Sequence, residues 1–224
     1  IATAVAAKMP SVLVHTDAAQ STAKLDLDVS SMGVHLMTIV GHKFGAPKGV
    51  AALFHREGVP LPSMLYGGGQ ENGRRAGTEA VPNIVALGAA ADIWLAEGAA
   101  IAAHSSKQRD SLRAALEERL GASRCAVNGP LGAGDTVNAL PNVLSFAVRG
   151  CVASSVLSKV KDEVAASASA ACHSGTAAVS AVLQAVGVEQ ELAVGTLRLS
   201  VGRHTTDAEV RRAADVLVRA ILDP

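Results

Sequence analysis

The chain has 224 residues, 49% of them hydrophobic and 18% charged, with 20 basic against 20 acidic side chains and a formal net charge of zero. That composition can bury a substantial core over one or two domains, while neutrality and an aromatic content of 2% argue against a nucleic-acid surface, which needs basic patches and stacking rings. No uninterrupted apolar run reaches the roughly 18 residues of a membrane span; residues 86–103 come nearest and are broken by Asp92, Glu97 and Gly98.

In chain order, residues 1–8 are predicted as a helix tail, 12–15 as a short strand, 25–33 as a connection, 36–40 as a second strand and 50–55 as its antiparallel partner. Three successive glycines, Gly67 to Gly69, open a loop, since they cannot sit inside a regular element without cost. From Pro82, apolar residues at Ile84, Leu87, Ile93, Leu95, Ile101, Leu112, Leu116 and Leu120 trace one long or broken helix. Lys107, Arg109, Asp110, Arg113, Glu117, Glu118 and Arg119 read as its solvated face. Beyond Arg124 come a strand at 142–148, a helix at 152–162, a strand near 164–167, a helix at 177–186 and a strand at 197–201. A terminal helix at 207–222 is opened by a Thr-Thr-Asp cap with Glu209 early in its first turn.

Four stretches carry chemistry. In LMTIVGHKFGAPKG (residues 36–49) an apolar strand ends in Gly41 and presents His42 and Lys43, and the turn after a covered strand is where α/β proteins place their ligands. An isolated lysine after a strand is ordinarily a surface group. In VLVHTDAAQ (12–20), however, Asp17 ends the preceding strand 26 residues before Lys43, about one strand-to-strand crossover. A buried aspartate opposite such a lysine suits pyridoxal phosphate, whose ring nitrogen the carboxylate keeps protonated and whose aldehyde the lysine holds. In SASAACHSG (167–175) small residues leave Cys172 little to pack against, so it reads as a mobile nucleophile with His173 able to lower its pKa. A metal pair of Cys172 and His173 fails on spacing. Arg198, in TLRLSVGRHTT (196–206), is placed either to grip a carboxylate bidentately or to bridge to an acid on the sheet. Arg203 reads as structural. The three cysteines, Cys125, Cys151 and Cys172, lack metal-type pairing, which suits a reducing, cytoplasmic setting.

Taken in order, HTDAAQ, GHKFGAPKG, GGGQENGRRAGTE, ACHSG and LRLSVGRHTT resemble the cysteine desulfurase family, class-V aminotransferases of the fold-type-I pyridoxal phosphate enzymes, and within it most resemble the selenocysteine lyase branch. The resemblance implies an α/β fold: residues 1–82 as the C-terminal part of a three-layer cofactor-binding large domain, 83–120 as a connecting helix, and 121–224 as a small α/β domain. Residues 1–10 lack an initiator Met and a signal-peptide pattern, and the expectation is the C-terminal part of a longer protein. The implied activity is removal of selenium or sulfur from L-selenocysteine or L-cysteine to give L-alanine. Lys43 and Cys172 would be catalytic. Asp17, Gln20, His42, Lys43 and Thr78 would bind the cofactor, Thr78 reaching the phosphate of the other subunit of a homodimer, and Arg198 would bind the substrate carboxylate. No metal is implied, and a sulfur- or selenium-accepting protein is a possible partner. Gly41 stands where the family often carries a phosphate-binding serine. A fold-type-I aminotransferase of small amino acids would share these residues except Cys172, and an inactive fragment or scaffold is the non-enzymatic alternative.

Overall fold

Short apolar runs separated by glycines, prolines and capping residues build two units, Ile1–Gly98 and Ala99–Pro224. The computed structural model describes residues 1–135, 139–168, 171–173, 176–178 and 180–223, with side chains at all of these except 133, 171–173 and 176–178.

In the first unit, helix α1 (Ala2–Lys8) leads to strand β1 (His15–Asp17), a one-turn helix α2 (Val29–Met32), and strands β2 (Leu36–Val40) and β3 (Ala51–His55). The sheet runs β1-β2-β3, with β1 parallel to β2 and β3 antiparallel to it. The crossover spacing thus does join parallel neighbours. Strand β1 begins three residues later than the apolar run suggests, because Val12 donates its N–H to Met9 and completes the turn leaving α1. Asp28 starts α2 inside the expected connection: its carboxylate accepts from the N–H groups of Ser30 at 2.9 Å and Ser31 at 3.2 Å.

Helix α3 (Val81–Leu120) is unbroken over 40 residues, with Pro82 tolerated in its first turn, where an N–H has no helical partner to lose. Its C-terminal half buries Ile101, Leu112, Leu116 and Leu120 as the periodicity predicts. The N-terminal half departs from it. Ala90 is buried and Leu87 and Trp94 pack partly, with Phe44, Ala46 and Val50, whereas Ile84, Val85 and Leu95 are exposed, Leu95 at 86%. By length and composition alone α3 is apolar enough to cross a membrane; averaged hydropathy absorbs the Asp92 and Glu97 that interrupt the run. Arg109 also corrects the expected solvated face. It is only 2% exposed, with Nε donating to Asp110 at 2.8 Å and an Nη to the carbonyl of Leu140 at 2.8 Å. A buried guanidinium persists because each direction it faces offers an acceptor.

The second unit is an antiparallel sheet flanked by helices. Strands β4 (Cys125–Val127), β5 (Val143–Val148), β6 (Ser167–Ala168) and β9 (Thr196–Ser200) lie in the order β4-β5-β9-β6. Helices α4 (Ala153–Val160) and α7 (Asp207–Leu222) pack beside them, and Leu116, Leu144, Phe146, Leu197 and Leu217 fill the interior. A capping box opens α7: Thr206 Oγ1 accepts from the N–H of Glu209 at 3.2 Å, and the Glu209 carboxylate accepts from the N–H of Thr206 at 2.8 Å. Between β6 and β9 the structure replaces the loop expected around Cys172 with a hairpin, β7 (Ala171–His173) and β8 (Thr176–Ala178), in which Cys172 lies opposite Ala177. The expected helix at 177–186 shrinks to α5 (Ala181–Ala185), because Thr176–Ala178 is engaged in that hairpin, and a further short helix, α6 (Gln190–Val194), precedes β9.

Candidate active site

Because β1 and β2 are parallel, the turns leaving them lie at the same end of the sheet. Asp17 closes β1, opposite Thr38 of β2; its carboxylate accepts from the N–H of Ala19 at 2.9 Å, and it is exposed rather than buried as expected, because β1 is an edge strand among the described residues. Gln20 follows in a turn wound on the buried Ala18, whose carbonyl accepts from the Thr22 hydroxyl at 2.7 Å and the Thr22 N–H at 2.8 Å.

Strand β2 runs into a single 3-10 turn, Gly41–Lys43. Gly41 is buried; its N–H donates to Val50 at 3.1 Å, and its carbonyl accepts from Phe44 at 3.0 Å and Ala46 at 3.1 Å. Trp94 of α3 donates its indole N–H to the carbonyl of Phe44 at 2.8 Å, so the residue after Lys43 is held from two directions. Gly45 (φ 107°) takes the sharp bend that follows, in the left-handed region that a side chain resists. His42 and Lys43 are exposed on this tightly bonded turn, and neither side chain has a hydrogen-bond or ion-pair partner among the described residues.

One residue that the sequence reading missed joins the two turns. Lys24 Nζ donates to the carbonyl of Gln20 at 3.0 Å and to the carbonyl of Lys43 at 3.3 Å. Half-burial, with the Lys43 charge nearby, holds its pKa below the ordinary lysine range. Its sequence signal was only a lysine four residues beyond Gln20.

Thr78 is exposed in the segment before α3. Around it, Gly77 N–H donates to Gln70 Oε1 at 3.2 Å and Arg75 donates to the carbonyl of Ala76 at 2.6 Å, with Glu71 and Asn72 at positive φ. No described hydrogen bond ties Thr78 to the lysine turn. In the second unit, Arg198 is exposed on β9, opposite Ser145 and Ser167. It donates to Ser167 Oγ at 3.4 Å and has no acidic partner among the described residues. With Ser145, Ser180 and Leu183 it lines a cavity of about 370 Å³. The side chains of Cys172 and His173, and residues 174 and 175 of their motif, lie outside the described set. Cys151 is buried and Cys125 partly so, and burial raises both thiol pKa values, as expected of packing cysteines.

Polar side chains thus gather at the carboxyl ends of two parallel strands, the place where α/β proteins commonly put their ligand sites. The chain belongs to the class-V aminotransferase family, whose model matches residues 2–213. It is 42% identical over 223 residues to a selenocysteine lyase of Homo sapiens, covering 97% of this chain and 49% of that protein. It is 37% identical over 204 residues to a cysteine desulfurase of Trichormus azollae, covering 91% and 49%. Among solved structures it resembles a NifS-like protein with a TM-score of 0.83 at 30% identity, over 96% of this chain and 54% of that one, and DndA from Streptomyces lividans with a TM-score of 0.63 at 32% identity, over 88% and 55%. The chain spans about half the length of the curated relatives it matches.

Proposed function

We propose that this chain forms part of a pyridoxal 5'-phosphate site that removes selenium or sulfur from L-selenocysteine or L-cysteine and leaves L-alanine. The observation that carries this reading is the placement of Asp17 and Gln20 on one turn, and His42 and Lys43 on the next, at one end of a parallel strand pair. The donor set suits the cofactor: an exposed carboxylate with acceptor capacity to spare, an amine and an imidazole without partners, and a nearby amide. When bound, the cofactor supplies an electron sink for charge developing at the substrate α-carbon.

In this reading Asp17 holds the proton on the ring nitrogen, Gln20 hydrogen-bonds the ring oxygen, and His42 binds the phosphate. Thr78 completes the phosphate site of the partner in a homodimer. Lys43 would hold the aldehyde and is the amine placed to take the substrate α-proton. Arg198 grips the α-carboxylate through two parallel hydrogen bonds. The Cys172 thiolate attacks the substrate sulfur; an S–S bond forms, the C–S bond breaks, and its electron pair stays on the β-carbon, which takes a proton. Cysteine and the Cys172 thiol become alanine and a Cys172 persulfide with no external oxidant. Selenocysteine needs less help from Cys172, since a selenol ionises more readily than a thiol. An acceptor protein then receives the chalcogen, and a reducing cytoplasm keeps Cys172 competent. Residues 1–82 serve as the cofactor-binding part, 83–120 as the connecting helix and 121–224 as the small domain.

The test is alanine release from L-cysteine and L-selenocysteine by the protein with its cofactor, against Lys43→Ala and Cys172→Ala. The expected result is loss of both activities without Lys43, and loss of sulfur release with smaller loss of selenium release without Cys172. No alanine from either substrate, with cofactor bound, overturns the reading in favour of an aminotransferase of small amino acids.

A further inference from the structure

The Lys24 side chain makes two hydrogen bonds, and their acceptors belong to two different turns. Gln20 lies in the turn leaving β1, and Lys43 ends the 3-10 turn leaving β2; the two carbonyls are joined through one nitrogen, at 3.0 Å and 3.3 Å. No described backbone hydrogen bond links residues 18–25 to residues 41–46, so within that description the ammonium is the polar tie between them. Ala23, immediately before Lys24, sits at φ 59°, a left-handed conformation that a side-chain-bearing residue resists. Ala23 is retained there against the cluster of Phe44, Ala46, Val50 and Ala90. Strain of this kind persists where the surroundings over-determine it.

We propose that Lys24 is a positioning residue for the Lys43 amine: its ammonium clamps the carbonyl of Lys43 to the Asp17–Gln20 turn, holding the lysine and the carboxylate in fixed relation. The proposal rests on the reading of Lys43 as the aldehyde-binding amine, and its purpose is geometric. The hydrogen bonds of the 3-10 turn fix Gly41, Phe44 and Ala46 while the Lys43 carbonyl accepts only from Lys24 among the described residues, and an amine that must meet an aldehyde whose ring is held elsewhere gains from a fixed Cα. A charge-assisted bond to a carbonyl is about twice as strong as a neutral one. The nearby Lys43 charge and the partial burial both oppose charge on Lys24, so the two carbonyl acceptors are what keep it in place.

The experiment uses the unsubstituted protein, Lys24→Met, which keeps the length and loses the donors, and Lys24→Arg, which keeps a cation with several donors. Pyridoxal phosphate is added, the adduct is fixed with borohydride, and the pyridoxyl-bearing lysine is located by peptide mass spectrometry over time. Amide hydrogen exchange of residues 41–46 is measured separately without cofactor. Lys24→Met is expected to slow capture at Lys43 about tenfold and to speed exchange at Phe44 and Ala46 about tenfold, the factor that one charged hydrogen bond represents. Lys24→Arg is expected to restore both to within about threefold. Equal capture and exchange in Lys24→Met overturns the clamp, and so does a Lys24→Arg variant as impaired as Lys24→Met, since charge and donors are then not what the turn needs. Absence of a Lys43 adduct in the unsubstituted protein overturns the functional reading instead, and the exchange comparison still decides the clamp.

Discussion

A Cβ added at Gly41 would stand 3.0 Å from three atoms at once: Ala46 Cβ, Leu87 Cδ1 and the carbonyl oxygen of Val50. Ordinary carbon contacts lie at about 3.5–4.0 Å, so each neighbour must give way by a few tenths of an ångström. Leu87 can do so by rotating, but the other two are tied to Gly41 itself. Val50 accepts the Gly41 N–H at 3.1 Å and Ala46 donates to the Gly41 carbonyl at 3.1 Å, so moving them stretches the bonds that hold the lysine turn. Gly41→Ala is therefore expected to cost about 2 kcal/mol, within the usual overpacking range. With a urea m-value of about 2 kcal/mol/M, that lowers the unfolding midpoint by about 1 M. Trp94 is the single tryptophan and packs in the cluster of Phe44, Ala46 and Val50, so its fluorescence during a urea titration reads the affected unit directly. In a Leu87→Ala background the same substitution is expected still to cost more than about 1 kcal/mol, because the two backbone-anchored contacts remain. A midpoint shift below about 0.2 M, or complete rescue by Leu87→Ala, would refute the reasoning. The same crowding leaves a side chain at position 41 little room unless the turn is rebuilt.

Thr206→Ala removes the hydroxyl that caps α7, losing its bonds to the Glu209 N–H and carboxylate while the backbone N–H of residue 206 still donates to Glu209, and is expected to cost about 1 kcal/mol in thermal or urea unfolding. Phe146→Ala empties the centre of the second unit, where Phe146 is 0% exposed; the expected loss is about 3–5 kcal/mol, measured by circular dichroism. The Glu209 carboxylate is held below its usual range by the backbone N–H and then the hydroxyl of Thr206. Its contribution to stability is complete above the unfolded carboxylate range and is lost as pH falls through the lower folded value. The melting-temperature gap between the unsubstituted protein and Glu209→Gln should thus be widest near neutrality and close under acid; a gap that grows on acidification would contradict the assignment.

Much of this protein is local, and local order is written in residue types. The apolar run of β2, the glycines around Lys43, the 3.6-residue periodicity in the C-terminal half of α3 and the Thr-Thr-Asp opening of α7 each depend on neighbours a few positions away, and each was legible. The 26-residue spacing between Asp17 and Lys43 likewise implied a parallel pair, since chain length limits which strands can meet. Elements decided by distant partners were not legible. Val12 and Leu13 look like strand but finish a turn because Met9 offers a carbonyl. Cys172 looks like loop, yet its backbone pairs with that of Ala177. Arg109 looks solvated, yet Leu140 and Asp110 together satisfy it. Lys24 shows the division most plainly: its residue type says only that it is a cation, while its role depends on two carbonyls contributed by separate turns, 4 and 19 residues away. By itself the amino-acid sequence determined the periodicities, the caps and the family motifs, because each is encoded over a few residues. Only the tertiary structure decided which polar groups meet across the gaps between them, because a hydrogen bond over about 3 Å depends on where whole elements pack.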